Sequence, residues 1–326
     1  LIIKALVKNP EFKQRIAEKL NHSNIQVEFV NTQEPIIPQI QDSEILINSI
    51  DKIDKSLIDS CPNLRLVQQS GIGVDSIDID YCTERGIYVA NVPMANAISV
   101  AEHTFLLILY LTKNIKLNSF SSSSNSGSFV RRMPDHMGIE LSGKTMLVLG
   151  LGVTGIEVAK RAKAFGMKVI AVTKHPYTKT EGGDKKYFVD RLFGVDKLLE
   201  VLPIADIVSI HTPLNNETEN MINKKELELM KKSAYLINVA RAPVVNHEAL
   251  LDSLREKIIA GAAVDVFWNE PADQNDALLQ LDNFLLTPHI AGWTYEAIDS
   301  ISDIIRINIE RMMRGQIPLT LVNRLD

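Results

Sequence analysis

At 326 residues the chain is long enough for two domains, each burying its own core. Hydrophobic residues at 45% and charged residues at 23% are ordinary for a globular fold, and a net charge of -5 argues against a nucleic-acid footprint, which is usually basic. Two cysteines, Cys61 and Cys82, make no disulfide framework and fit a reducing cytoplasm; no His/Cys spacing suggests a metal, no signal peptide is expected from the strand-like start at Leu1, and the longest apolar run, Phe105 to Leu111, is too short for a bilayer.

Leu1 to Val7 reads as a strand and Glu11 to Leu20 as an amphipathic helix. Short strands follow at Gln26 to Val30 and Ile45 to Asn48, then a helix from Lys55 to Asp59 that stops before Pro62. The strand Leu64 to Gln68 leads into Ser70-Gly71-Ile72-Gly73-Val74-Asp75. Two glycines directly after a strand leave backbone N–H groups free for a small anion cradle, although a plain tight connection has the same look. Tyr88 to Ala90 is a last short strand, and Asn91-Val92-Pro93 reads as the exit from a first domain. Ala97 to Leu117 then reads as one helix, apolar on nearly every face in its middle and so buried between domains or subunits. The serine-rich stretch Ser119 to Ser128 reads as a flexible loop and Arg131-Arg132 as a solvated basic patch.

Gly150-Leu151-Gly152-Val153-Thr154-Gly155 sits between the apolar run Lys144 to Leu149 and a helical pattern with apolar residues at 156, 159, 162 and 165. A glycine-rich turn in that strand-to-helix setting binds a dinucleotide. Gly150 permits the tight turn, Gly152 lets a pyrophosphate approach the backbone, and Gly155 lets the helix pack on the strand. The helix start at Val153 and Thr154 offers unpaired N–H groups to the phosphates.

Beyond the strand Lys168 to Val172, further strands are expected at Ile207 to Ile210, Tyr235 to Asn238, Ile259 to Val264 and Phe284 to Thr287. Helical stretches at Lys197 to Leu202, Lys224 to Met230 and Asn246 to Glu256 separate them, and Thr294 to Arg314 closes the chain as a long helix. The pattern is α/β, a doubly wound parallel sheet in which ligands collect outside the carboxyl ends of the strands. Polar residues fall at those ends: His211-Thr212, Arg241, Asp265 and His289.

Arg241, Glu270 and His289 each follow a separate strand and are the candidate catalytic set. Moving hydride to a 2-oxo acid needs a proton donor for the carbonyl oxygen, a cation for the carboxylate and a group that sets the donor's pKa. His suits the first because it titrates near working pH, Arg the second because its planar fork matches a carboxylate, and Glu the third by favouring the charged imidazole. Among the other histidines His22, His136 and His247 read as exposed bystanders, His103 as a packing residue, and His211 as the rival for the acid.

These stretches resemble the D-isomer-specific 2-hydroxyacid dehydrogenases, the family of glyoxylate/hydroxypyruvate reductases and phosphoglycerate dehydrogenases. The resemblance rests on Ser70 to Asp75, Asn96 to His103, Gly150 to Gly155, Asn238 to Arg241, Val264 to Phe267 with Glu270-Pro271, and Thr287 to Gly292, and it covers essentially the whole chain. It implies that a Rossmann nucleotide domain, 97–288, is inserted into a smaller flavodoxin-like α/β substrate domain made of 1–96 and 289–326. It also implies that Arg241 binds the substrate, Glu270 pairs with the histidine and His289 is the general acid/base. By the same resemblance Ile72 and Gly73 hold the carboxylate and Trp293 shapes the pocket. Asp265 bonds the nicotinamide carboxamide, and His211, Thr212, Val239, Ala240, His289 and Gly292 line the cofactor. Homodimers through the nucleotide domain are the family habit. With the sequence ending at Asp326, the regulatory domain that many phosphoglycerate dehydrogenases append is not expected. The implied activity is reduction of a small 2-oxo acid of the glyoxylate or hydroxypyruvate kind to a D-2-hydroxy acid. The alternatives are a phosphoglycerate dehydrogenase-like enzyme, or a non-catalytic nucleotide-sensing protein of the corepressor type.

An NAD-selective site carries a carboxylate about 20 residues past the glycines, to accept from the ribose 2′-OH. Here the strand ends Thr173-Lys174-His175, and the next carboxylate is Glu181. A hydroxyl, a cation and an imidazole suit a 2′-phosphate, so NADP is the expected coenzyme, with NAD the alternative if Lys174 merely points into water.

Overall fold

The computed structural model describes residues 1–115, 137–176 and 188–325, and the chain divides into two compact units. One comprises Leu1–Asn96 and Trp293–Asp326, the other Ala97–Gly292. Ser119 to Ser128, Arg131-Arg132, His136 and Glu181 lie outside the described residues.

The first unit is built on strands β1 (Ile3–Leu6), β2 (Glu28–Phe29), β3 (Ile45–Asn48), β4 (Leu66–Gln69) and β5 (Tyr88–Ala90). They form a parallel sheet in the order β2-β1-β3-β4-β5, the flavodoxin-like order. Every residue of β1, β3 and β4 is buried, as a sheet covered on both faces requires. Helices α1 (Pro10–Asn21), α2 (Ile37–Ile40), α3 (Lys55–Asp59) and α4 (Ile79–Glu84) connect the strands. Asn9 starts α1 by accepting from the Phe12 amide at 2.9 Å, with Pro10 at the first helical position. Phe12, Ile16 and Leu20 of that helix pack with Ile298, Ile301, Ile305 and Ile309 of the C-terminal helix Tyr295–Met313 in one core.

The second unit opens with α5 (Ala97–Thr112), then β6 (Thr145–Leu149), α6 (Val153–Ala164), β7 (Lys168–Val172) and β8 (Arg191–Phe193). It continues through α7 (Leu198–Val201), β9 (Ile207–Ile210), α8 (Lys224–Leu229), β10 (Tyr235–Asn238), α9 (His247–Arg255), β11 (Gly261–Val264) and β12 (Phe284–Leu286). The sheet runs β12-β11-β10-β9-β6-β7-β8 with every pairing parallel. The chain winds outward from β6 to β8, then returns to lay β9 on the other side of β6. The strand order reverses at β6 and β9, where a doubly wound sheet opens its binding crevice.

Three elements were not anticipated: α2, α4 and β8. They span four, six and three residues, too short to show a periodicity. Conversely α5 stops at Thr112 rather than Leu117. Asn114 takes φ 53°, and the Ile115 amide returns to the Tyr110 carbonyl at 3.2 Å. Asparagine tolerates that left-handed turn, so the polar pair Lys113-Asn114 ends the helix although the apolar pattern runs on.

Candidate active site

The turn after β6 is shaped by its glycines. Gly150 takes φ 96°, and a Cβ there would sit 2.6 Å from the His211 carbonyl carbon and oxygen. At Gly155 a Cβ would lie 2.1 Å from the Gly150 carbonyl oxygen, so α6 packs on the turn only through a glycine. Gly152 is different: nothing stands within 4 Å of a Cβ there. It is also the N-cap of α6 and brings no side-chain hydrogen bond to the helix start. The first N–H groups, at Val153 and Thr154, have no intrahelical partner and receive no cap from Gly152, at the positive end of a helix dipole that suits a pyrophosphate. The residues fit a dinucleotide.

Arg241 is set by the end of β10. The buried Asn238 accepts from the Ala240 amide at 3.0 Å and donates to the Arg241 carbonyl at 2.9 Å, closing the turn. One guanidinium nitrogen of Arg241 donates to the Ala240 carbonyl at 2.8 Å. Glu270 follows β11, with Oε1 accepting from the Phe267 amide at 3.0 Å. Its other oxygen, Oε2, lies 2.8 Å from His289 Nδ1. His289 follows β12 in a left-handed conformation, φ 55°, and its amide donates to the Thr287 carbonyl at 2.9 Å.

That pair sets the electrostatics. With a carboxylate on Nδ1–H, Nε2 is the nitrogen left to exchange protons. The hydrogen bond to Glu270 raises the imidazole pKa above its ordinary value, against burial and against the positive charge of Arg241. Burial alone would raise the Glu270 carboxyl; the bonds from His289 and the Phe267 amide overcome it and hold it below the usual range. The imidazolium therefore persists to higher pH than that of a free histidine.

His211 does not compete for the role of acid. Its Nε2 is 2.7 Å from the Ser209 hydroxyl, and burial pushes its pKa down to about 3. An imidazole neutral throughout the working range donates no proton to a carbonyl. Its backbone, with that of Thr212, instead packs against the Gly150 turn. His247 is half-buried rather than exposed and lies 2.9 Å from Asp276.

Asp265, expected at the carboxamide, is 1% exposed, and its oxygens are engaged within the chain. They accept from the Thr287 hydroxyl at 2.5 Å, the Ile290 amide at 3.0 Å and the Ala291 amide at 2.7 Å. These bonds hold the His289 loop. Val239 is buried and Ala240 half-buried at the end of β10, while Gly292 closes the second unit. Ile72, Gly73 and Trp293 belong to the first unit. There the Ile72 carbonyl accepts from the Asn91 side chain at 2.8 Å, and Trp293 meets Phe12 edge-on with ring centroids 6.0 Å apart.

At the end of β7, Thr173 is buried at 6% exposure while Lys174 and His175 are exposed. Lys174 Nζ lies 2.5 Å from Glu217 Oε2, an ion pair with no local signal in the sequence. Glu217 sits beyond β9, 43 residues away, so only the β7-β6-β9 neighbourhood in the sheet brings the two together. The pair spans the strand whose turn carries the glycines.

Among the described residues no cluster of ligating side chains could hold a metal, and no helix is long and apolar enough to cross a membrane. A family model described as the NAD binding domain of D-isomer specific 2-hydroxyacid dehydrogenases matches residues 105–291. The chain is 38% identical over 296 residues to a glyoxylate reductase of Thermofilum pendens, covering 90% of this chain and 85% of that protein. It is 36% identical over 323 residues to a D-3-phosphoglycerate dehydrogenase of Methanocaldococcus jannaschii, covering 99% of this chain but only 60% of the relative's length. The crystal structure of an NADPH-dependent glyoxylate/hydroxypyruvate reductase from Sinorhizobium meliloti superposes with a TM-score of 0.80 at 26% identity, covering 98% of this chain and 96% of that one. The second unit is thus a dinucleotide-binding domain, and the chain belongs to the D-isomer specific 2-hydroxyacid dehydrogenases.

Proposed function

We propose that this protein reduces a small 2-oxo acid, of the glyoxylate or hydroxypyruvate kind, to a D-2-hydroxy acid. The observation that carries this reading is the Glu270–His289 pair at 2.8 Å, with the charge of Arg241 close enough to act on the imidazole. The names of the Thermofilum and Sinorhizobium relatives support the substrate class. Bound NAD(P)H supplies the hydride. Arg241 grips the carboxylate and orients the carbonyl, His289 Nε2–H gives its proton to the carbonyl oxygen as hydride arrives, and Glu270 stabilises the imidazolium until then. The test is loss of nicotinamide absorbance with a panel of 2-oxo acids, followed by chiral analysis of the product. Tight coenzyme binding without turnover of any of them would overturn the reading in favour of a nucleotide sensor.

The coenzyme we propose is NADPH, on the strength of Lys174 and His175 at the end of β7 and of a strand end without a carboxylate of its own. Glu217 tempers that preference, because a 2′-phosphate must draw Lys174 away from it. An exposed ion pair is worth roughly 0.2–1 kcal/mol, so the native preference is expected at only about two- to fivefold, falling as salt is raised. Glu217→Gln should enlarge it, Lys174→Ala should abolish it, and Thr173→Asp should reverse it. The measurement is kcat/KM for both coenzymes, and a clear native preference for NADH would refute this account.

Homodimerisation through the second unit completes the reading, in a cytoplasmic protein whose two cysteines are buried and unbonded. Ile98 and Leu106 lie eight residues apart on α5, 58% and 57% exposed, and large exposed apolar side chains on one helix face suit a second copy. Leu106→Arg should halve the mass seen by light scattering; an unchanged mass would remove α5 from the interface.

A further inference from the structure

We propose that Ser99 and His103 form a clamp that positions the His289 loop, making α5 a working part of proton transfer; this rests on the reductase reading above. The two residues stand four apart on α5 and so share one face. The Ser99 hydroxyl, 7% exposed, donates to the Ala291 carbonyl at 2.6 Å. His103 Nε2, on a side chain 10% exposed, lies 2.9 Å from the Thr287 hydroxyl oxygen.

The direction of that second bond follows from proton counting. Thr287 has one hydroxyl proton, and its oxygen lies 2.5 Å from Asp265 Oδ1. An ionised carboxylate only accepts, so the proton goes to Asp265 and Thr287 must accept from His103. His103 therefore carries a proton on Nε2, with that N–H also 3.4 Å from Asp265 Oδ1. Asp265 in turn holds the Ile290 and Ala291 amides. Its carboxyl is kept below the usual range, burial being outweighed by the bonds from His103, Thr287 and the two amides.

The loop is thus gripped by α5 at Thr287 and at Ala291, two residues to either side of His289. His289 itself has φ 55°, a conformation that a non-glycine residue keeps only where its surroundings over-determine it. Loosening either grip lets the imidazole swing relative to Glu270 and to the substrate, with no change at the glycine turn. His103 and Ser99 touch neither coenzyme nor substrate in this account and act through the loop.

The experiment compares His103→Leu, His103→Gln and Ser99→Ala, well below their melting temperatures, at saturating coenzyme. Leucine fills the space without a donor, whereas the glutamine amide nitrogen reaches the place of Nε2 and donates. His103→Leu is expected to lower kcat about ten- to fiftyfold while coenzyme Kd stays within about threefold, and His103→Gln to recover most of the loss. Ser99→Ala should cost about three- to tenfold, and its effect combined with His103→Leu should fall short of the product, since both act on one loop. A kcat for His103→Leu within about twofold of wild type, or equal losses in the leucine and glutamine variants, would overturn the clamp. Should His103→Leu fail to fold, an unaltered kcat in Ser99→Ala would do the same. If the wild-type protein reduces no 2-oxo acid, the reductase reading falls by itself. The clamp is then judged by the NMR titration of the His289 imidazole, whose midpoint His103→Leu must lower and His103→Gln restore; an unmoved midpoint overturns it.

Discussion

His289→Ala is expected to cut turnover by about two to four orders of magnitude, the usual worth of a positioned general acid, and to leave coenzyme binding intact. Coenzyme affinity is spared because the glycine turn and the start of α6 are set by β6 and β9, away from the β12 loop. His211→Ala is the control: an imidazole pushed down to about 3 by burial is not the imidazolium that general-acid catalysis needs, so its loss must not reproduce the effect. A rate that survives in His289→Ala and collapses in His211→Ala would invert the assignment. Glu270→Gln tests the pair in a second way. Reduction needs the imidazolium, so activity holds below the His289 pKa and fades as pH rises through it. The hydrogen bond to Glu270 raises that pKa, so Glu270→Gln must move the upper limb of the pH profile to lower pH. A limb that stays in place would mean that the pair does not set the acid.

How much of this could be read from the chain depended on whether the signal was local. The strands of the second sheet other than the three-residue β8 are legible, as is the glycine turn, because a sheet covered on both faces needs continuous apolar runs and a tight turn needs glycine at fixed places. Arg241 and His289 are legible as polar residues three residues beyond such runs, and Glu270 as one six residues beyond. What stayed hidden was everything made by neighbours in space. Glu217 looks like any loop carboxylate until the sheet order sets its loop beside the end of β7. His103 read as a packing residue because its partner, Thr287, is 184 residues away. The three donors that Asp265 accepts from, Thr287, Ile290 and Ala291, lie 22 to 26 residues further along and leave no local trace in the sequence. The end of α5 was misplaced for another reason: apolar periodicity does not register a backbone turn at Asn114.

Arg241→Ala is expected to lower kcat/KM for the preferred 2-oxo acid by about two to three orders of magnitude, since it removes a charge-assisted, two-pronged grip on a carboxylate. The loss should appear in KM and kcat together, because the same fork that captures the acid also turns its carbonyl toward the proton donor. Arg241→Lys should recover little. An ammonium restores the charge but is a point donor on a flexible stem, and one of the native guanidinium nitrogens is fixed by the Ala240 carbonyl at 2.8 Å, so the fork is held in a set orientation. The two variants also separate charge from shape. The Arg241 charge works against the imidazolium of His289, so Arg241→Ala should move the upper pH limb upward, opposite to Glu270→Gln, while Arg241→Lys leaves it nearly where it was. Added guanidinium ion should restore part of the rate to Arg241→Ala and none to Arg241→Lys, whose side chain occupies the place. A lysine variant keeping more than about a third of native kcat/KM would show that charge alone suffices, and the bidentate account of substrate capture would have to be given up.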